Sequence, residues 1–167
     1  MPTLQLKVLS VFVILAHERR RVVHFNVTEH PTAEWTAQQI IEAFPEDTAP
    51  RYLIRDRDGV YGIHFRKRVQ GMGIQQVLTA ARSPWQSPFV ERLIGSIRRE
   101  CLNHVIVLGE RHLKWTLKRY VEYYHDSRSH LSLEKDSPNT RPVESVGQII
   151  AIPQVGGLHH RYERRAA

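Results

Sequence analysis

Two apolar runs separated by five polar and charged residues dominate the front of the chain. Residues 4–16 are rich in Val, Leu, Ile and Phe, and residues 22–28 read Val-Val-His-Phe-Asn-Val-Thr. His17-Glu18-Arg19-Arg20-Arg21 stands between them. β-branched and aromatic residues favour strands, and a charged cluster must return to water, so the pair predicts an antiparallel hairpin. Thr32 is placed to cap a helix, with Glu34 in its first turn beside the positive end of the dipole. Ala37, Ile40, Ile41 and Phe44 recur at helical spacing, and Pro45 and Pro50 end the run.

The rest of the chain alternates. Residues 51–56 form a short strand that ends in acid, followed by a turn at Asp58-Gly59. Residues 65–70 are helical, with Gly71 and Gly73 as the stop. Residues 74–79 give another strand, and residues 83–88 a loop by composition. Pro88 suits the first turn of a helix, because its missing N–H costs nothing there. Val90, Leu93, Ile94, Ile97 and Cys101 form that helix's buried stripe. Residues 110–126 make a long helix with Leu113, Leu117, Tyr120, Val121 and Tyr124 on its core side. Residues 139–167, with Pro142, Pro153 and Gly156-Gly157, are expected to form an irregular basic tail behind a core of residues 1–138. The fold class is α/β: an antiparallel hairpin leading a sheet flanked by helices.

Composition narrows the chemistry. The 167 residues suit one domain, and the formal charge of +7 favours a polyanionic partner, of which nucleic acid is the commonest. Such an excess also occurs in proteins that bind no nucleic acid. Cys101 is the single cysteine, so an internal disulfide framework is excluded and a four-ligand zinc site would need histidines. The ten histidines show neither C-x-x-C nor H-E-x-x-H spacing, and His159-His160 is expected on solvated surface. No run approaches the roughly 18 apolar residues of a membrane span. The short run at 8–16 is followed by basic residues rather than a small-residue cleavage site, so a cytoplasmic protein is expected.

Asp56 ends a strand and Glu91 lies in the first turn of a helix, with 34 residues between them. Two converging carboxylates can hold a divalent cation such as Mg²⁺, which prefers hard oxygen ligands. The bland reading is that Asp56 caps a turn and Glu91 complements a helix dipole. Asp58 could approach the same cation, but an Asp at that position more often satisfies its own turn.

The stretch Leu53-Ile54-Arg55-Asp56-Arg57-Asp58-Gly59-Val60-Tyr61 resembles the second-aspartate motif of DDE transposases and retroviral-type integrases. Ser83-Pro84-Trp85-Gln86-Ser87-Pro88-Phe89-Val90-Glu91-Arg92 resembles the segment carrying that family's catalytic glutamate. Ile97-Arg98-Arg99-Glu100-Cys101-Leu102 is similar to the rest of that helix. Tyr124-His125-Asp126-Ser127-Arg128-Ser129-His130-Leu131-Ser132-Leu133, then Pro138, resembles the closing signature, with His125 and Ser129 in place of the usual Asn and Pro. Ser87 and Pro88 stand where relatives often have Asn and Gly. The resemblance covers about residues 5–138 and is to the catalytic core of a bacterial insertion-sequence transposase.

That resemblance implies a ribonuclease-H-like mixed sheet, Asp56 and Glu91 as catalytic metal ligands, and a two-metal site for Mg²⁺ or Mn²⁺. It implies DNA as partner, both element ends and target, on the nucleoid. It also implies a homo-oligomer or association with a full-length transposase. Arg82, Trp85, Arg98 and Arg99 are the candidate DNA contacts, through phosphates and base stacking. The family's first aspartate belongs on the first strand, and residues 1–46 contain no aspartate. The chain is therefore expected to start just past that ligand and to be inactive alone in DNA strand transfer. The alternatives are a non-catalytic DNA-binding or assembly-interfering fragment, and a functionless remnant.

Overall fold

The computed structural model describes residues 8–165. The leading hairpin forms as expected: β1 (Ser10–Leu15) pairs antiparallel with β2 (Val22–Thr28). The charged cluster turns between them, with Arg19 and Arg20 at positive φ of 46° and 58°. The part of the expected first strand at residues 4–7 lies outside the described residues. Alternate β1 side chains enter two different cores. Val11, Val13 and Leu15 pack against the core of the third and fourth helices, whereas Phe12 and Ile14 pack against that of the first two. A strand covered on both faces must be apolar throughout, which is why its sequence lacks polar alternation.

The first helix, α1 (Ala33–Ala43), begins where Thr32 Oγ1 accepts a hydrogen bond from the Trp35 N–H at 3.1 Å. Ala37, Ile40 and Phe44 are buried from it. On its sheet side Gln39 Oε1 accepts from Asn26 at 2.8 Å and meets His24 Nε2 at 2.9 Å, joining α1 to β2. Then β3 (Tyr52–Arg55), α2 (Ile63–Gly71) and β4 (Gln75–Leu78) form a parallel pair with its crossover helix. Phe65 and Val69 of α2 are wholly buried beneath it.

Two longer helices follow, α3 (Pro88–Glu100) and α4 (Glu110–Asp126). Leu93, Ile97 and Cys101 meet Leu113, Leu117, Tyr120 and Tyr124 in the larger core, as the helical spacing predicts. Glu100 at the end of α3 takes a two-pronged ion pair from Arg128, both contacts at 2.7 Å, and a hydrogen bond from the Tyr120 hydroxyl at 2.7 Å. The closing signature is also tied to the hairpin turn. Arg19 donates to the Pro138 carbonyl at 2.8 Å and pairs with Asp136 at 2.6 Å, and the Val22 N–H donates to His125 Nε2 at 2.9 Å.

The segment expected as an irregular tail contains β5 (Gln148–Gln154) and β6 (His159–Arg165), an antiparallel hairpin. Gly156 and Gly157, at φ of 67° and 92°, make its turn. Val155 is buried in the larger core. His159, expected on solvated surface, stacks on Tyr123 at 4.3 Å, and its Nε2 meets the Glu100 carbonyl at 2.8 Å.

The architecture is thus mixed α/β. Among the described residues the strands form three two-stranded ladders, β1–β2, β3–β4 and β5–β6, rather than one continuous hydrogen-bonded sheet.

Candidate functional site

An open pocket of about 540 Å³ lies where the ends of β3 and β4 meet the start of α3 and the flank of β1. Asp56, Asp58, Arg57, Arg82 and Glu91 line it, together with Val11–Val13 of β1. Three segments far apart in sequence therefore bring Asp56 and Glu91 to one cavity. Glu91 is placed by the first turn of α3, where its N–H reaches the Ser87 carbonyl at 3.2 Å. Asp56 is placed by the end of β3. Its Oδ1 accepts from the Asp58 N–H at 3.1 Å, and Asp58 Oδ1 accepts from the Val60 N–H at 3.0 Å. Asp58 thus satisfies its own turn while facing the pocket, which supports the structural reading of that residue.

Neighbouring groups stiffen this corner. Arg55 donates to Gln76 on β4 at 2.9 Å and to the Asp56 carbonyl at 2.8 Å, and its guanidinium lies 5.0 Å from the Tyr61 ring centroid. Tyr61 packs edge-on to Phe65 with centroids 4.8 Å apart. Burial pushes the Tyr61 hydroxyl up to about 12, with the Asp56 and Asp58 charges adding to the shift, so it stays neutral at pH 7. Arg57 ties the turn to the Thr79 carbonyl at 3.1 Å. Gln86 accepts from the Ala80 N–H at 2.7 Å and pins the loop before α3.

The other expected DNA contacts divide. Arg82 lines the pocket, held at φ 55°. Trp85 is 70% exposed and lies outside the pocket lining, on a single 3₁₀ turn, Pro84–Gln86. Arg98 and Arg99 are exposed on α3 farther from the pocket, and Arg99 folds back over Gly95, where a Cβ would come within 2.9 Å of its guanidinium. Val90 and Ile94, expected in the buried stripe of α3, instead form pocket wall. Arg57 was not singled out by sequence reasoning; its position beside Asp56 in the motif was the available signal.

Neither Asp56 nor Glu91 is engaged in an ion pair among the described residues. Their hard oxygens are the right chemistry for one divalent cation. A three-ligand set is another matter. Among the described residues no group of three His, Cys, Asp or Glu side chains could hold a metal, and β1 offers the pocket only Val11, Phe12 and Val13.

Residues 72–138 match the family model described as the integrase core domain. The match takes in Glu91 and the closing signature through Pro138, covers less than half of the chain, and leaves Asp56 outside it. The fold is similar to a chain in the cryo-EM structure of the simian T-cell lymphotropic virus intasome in complex with PP2A regulatory subunit B56 gamma. That likeness has a TM-score of 0.61 at 12% identity and covers 91% of this chain and 59% of that one. The chain therefore spans less than two thirds of the protein it resembles, and at this identity the likeness is one of fold. No curated protein matches the chain. The family match is thus to an integrase core segment within this chain, and the structural match is to its fold.

Proposed function

We propose that this protein is the catalytic-core type of a transposase of the DDE class, with a ribonuclease-H-like ancestry, that engages DNA across the Asp56–Glu91 pocket. The observation that carries the reading is the convergence of Asp56, Glu91 and Arg82 on one open cavity. Asp56 and Glu91 would hold Mg²⁺ or Mn²⁺, which in this chemistry polarises a phosphodiester and lowers the pKa of attacking water. The chain's own contribution is positional. The Asp58 and Val60 N–H groups fix the carboxylate turn, and Arg82 offers charge to a phosphate. Val11, Phe12 and Val13 give the remaining wall an apolar character.

With two carboxylates in place of three, a reacting oxygen is poorly positioned, and misplacement alone can remove orders of magnitude in rate. The 167-residue chain is therefore expected to bind DNA and to leave strand transfer at background. Assembly into an oligomer, or with a complete transposase, is the setting in which such a core would act or interfere.

The test is duplex-DNA binding by fluorescence anisotropy across a salt series, paired with a strand-transfer assay in Mn²⁺. Binding should weaken steeply, with a log–log slope of about −0.9 for each phosphate neutralised. Arg82→Ala should flatten that slope by about 1 with little dependence on sequence. Absence of DNA binding would refute the reading, and robust strand transfer by this chain would refute the expected inactivity.

A further inference from the structure

On the other flank of α3 lies a second pocket, of about 190 Å³. Arg20 from the hairpin turn, Phe89, Arg92 and Ser96 from α3, and Arg128 and His130 from the closing signature line it. The four basic residues come from three segments, and their charges are not equivalent. Arg128 is matched by Glu100. Arg20 and Arg92 have no carboxylate partner among the described residues. The Arg20 guanidinium lies 3.6 Å from the centroid of the Phe89 ring, and its backbone holds φ at 58°, a conformation that costs about 1 kcal/mol outside glycine.

His130 completes the arrangement. Its Nδ1 faces Arg128 Nη1 at 3.5 Å. A guanidinium only donates, so Nδ1 presents its lone pair and the ring proton resides on Nε2. That Nε2 is buried and has no hydrogen-bond partner. Burial, with the Arg128 and Arg20 charges, lowers the imidazole to about 4, while Glu100 opposes the shift, so the ring is neutral at pH 7. Tyr124 covers one side of it edge-on at 4.8 Å. The pocket therefore presents two guanidiniums without counter-charges, with the neutral His130 ring in its wall.

We infer that this pocket is a phosphate-binding site, in which Arg20 and Arg92 hold one oxyanion beside the His130 ring, and that the phosphate is supplied by the backbone of a DNA strand passing over α3. Glu91 and Arg92 are successive residues, about 100° apart around the axis of α3, and they line different pockets, so the two sites flank the start of one helix. The inference extends the DNA reading, but its inorganic-phosphate arm stands without it and without any metal.

The test follows the His130 ring by NMR in the full chain, free of divalent ions, with inorganic phosphate and with a 12-nucleotide single strand as probes. Both should raise the pH at which His130 titrates, the oligonucleotide at far lower concentration. The Arg20→Gln/Arg92→Gln variant should lose both shifts. It should also flatten the log–log salt slope of oligonucleotide binding by about 0.7 for each arginine removed. Because Arg92 is exposed, Arg92→Gln alone serves if the double variant is unstable. A response to phosphate but none to the oligonucleotide overturns the DNA source and leaves a small-phosphate site. No response of His130 to either probe in the parent overturns the site itself. Loss of Mn²⁺ binding at the acid pair would move neither arm, so the two readings fail separately.

Discussion

Arg128→Ala is expected to lower the unfolding free energy by about 3 kcal/mol, toward the lower end of what removing one partner from a buried ion pair costs. The two side chains are 24% and 26% exposed, so solvent screens part of the penalty. What remains is a carboxylate at the end of α3 with the Tyr120 hydroxyl as its surviving side-chain donor. Glu100→Ala should cost a similar amount, and the double variant much less than the two together, because neither charge is then stranded. Acid adds a second signature. Burial pushes the Glu100 carboxyl up, but hydrogen bonds from Arg128 and Tyr120 outweigh it and hold the group below its ordinary 4.5. A carboxyl whose folded pKa lies below the unfolded value stabilises the fold above that range. The contribution disappears as pH falls through the folded pKa. The parent should therefore lose stability on acidification below about 4.5, and Arg128→Ala should lose less. Urea unfolding at neutral and acid pH measures both effects, and equal acid sensitivity in parent and variant would contradict the assignment.

Phe65→Ala should be at least as severe, at about 3–5 kcal/mol, because the ring is wholly buried and its removal leaves a cavity. For a chain of this size that is a fall in melting temperature on the order of 10 °C. The location makes the variant informative about the site as well. Phe65 is the floor on which Tyr61 packs, and Tyr61 closes the turn that begins at Asp56. Amide exchange across residues 56–62 should accelerate more than exchange in α4, whose core is separate. A loss below 1 kcal/mol, or uniform acceleration, would show that the α1–α2 core does not support the acidic turn.

Much of this was legible in the sequence, for reasons that differ by element. The leading hairpin was visible because β1 is buried on both faces, which compels an unbroken apolar run. Thr32 was legible as a cap, and Leu93, Ile97 and Cys101 as a core stripe, because those signals are local and periodic. Asp56 and Glu91 were legible from the motifs around them, and the fold brings both to one pocket. The C-terminal hairpin was not legible. Pro153 interrupts β5, a position tolerated because β5 pairs only with β6 among the described residues. The hairpin is anchored chiefly through Val155 and His159, too few contacts to impose an apolar pattern. Val90 and Ile94 obey the helical period yet face a cavity, since spacing fixes a face of the helix and not what covers it. The pocket joining Arg20 to His130 spans 110 positions of sequence. Only the packing of the hairpin turn on the closing signature reveals it.

Calorimetric titration of Mn²⁺ addresses the acid pair directly, using the parent chain, Asp56→Asn and Glu91→Gln. Two carboxylates in an open pocket should bind the ion weakly but measurably, and each substitution should abolish the heat while leaving the fold intact by circular dichroism. Equal binding by all three proteins, or none by the parent, would contradict the assignment of Asp56 and Glu91 as a shared cation site.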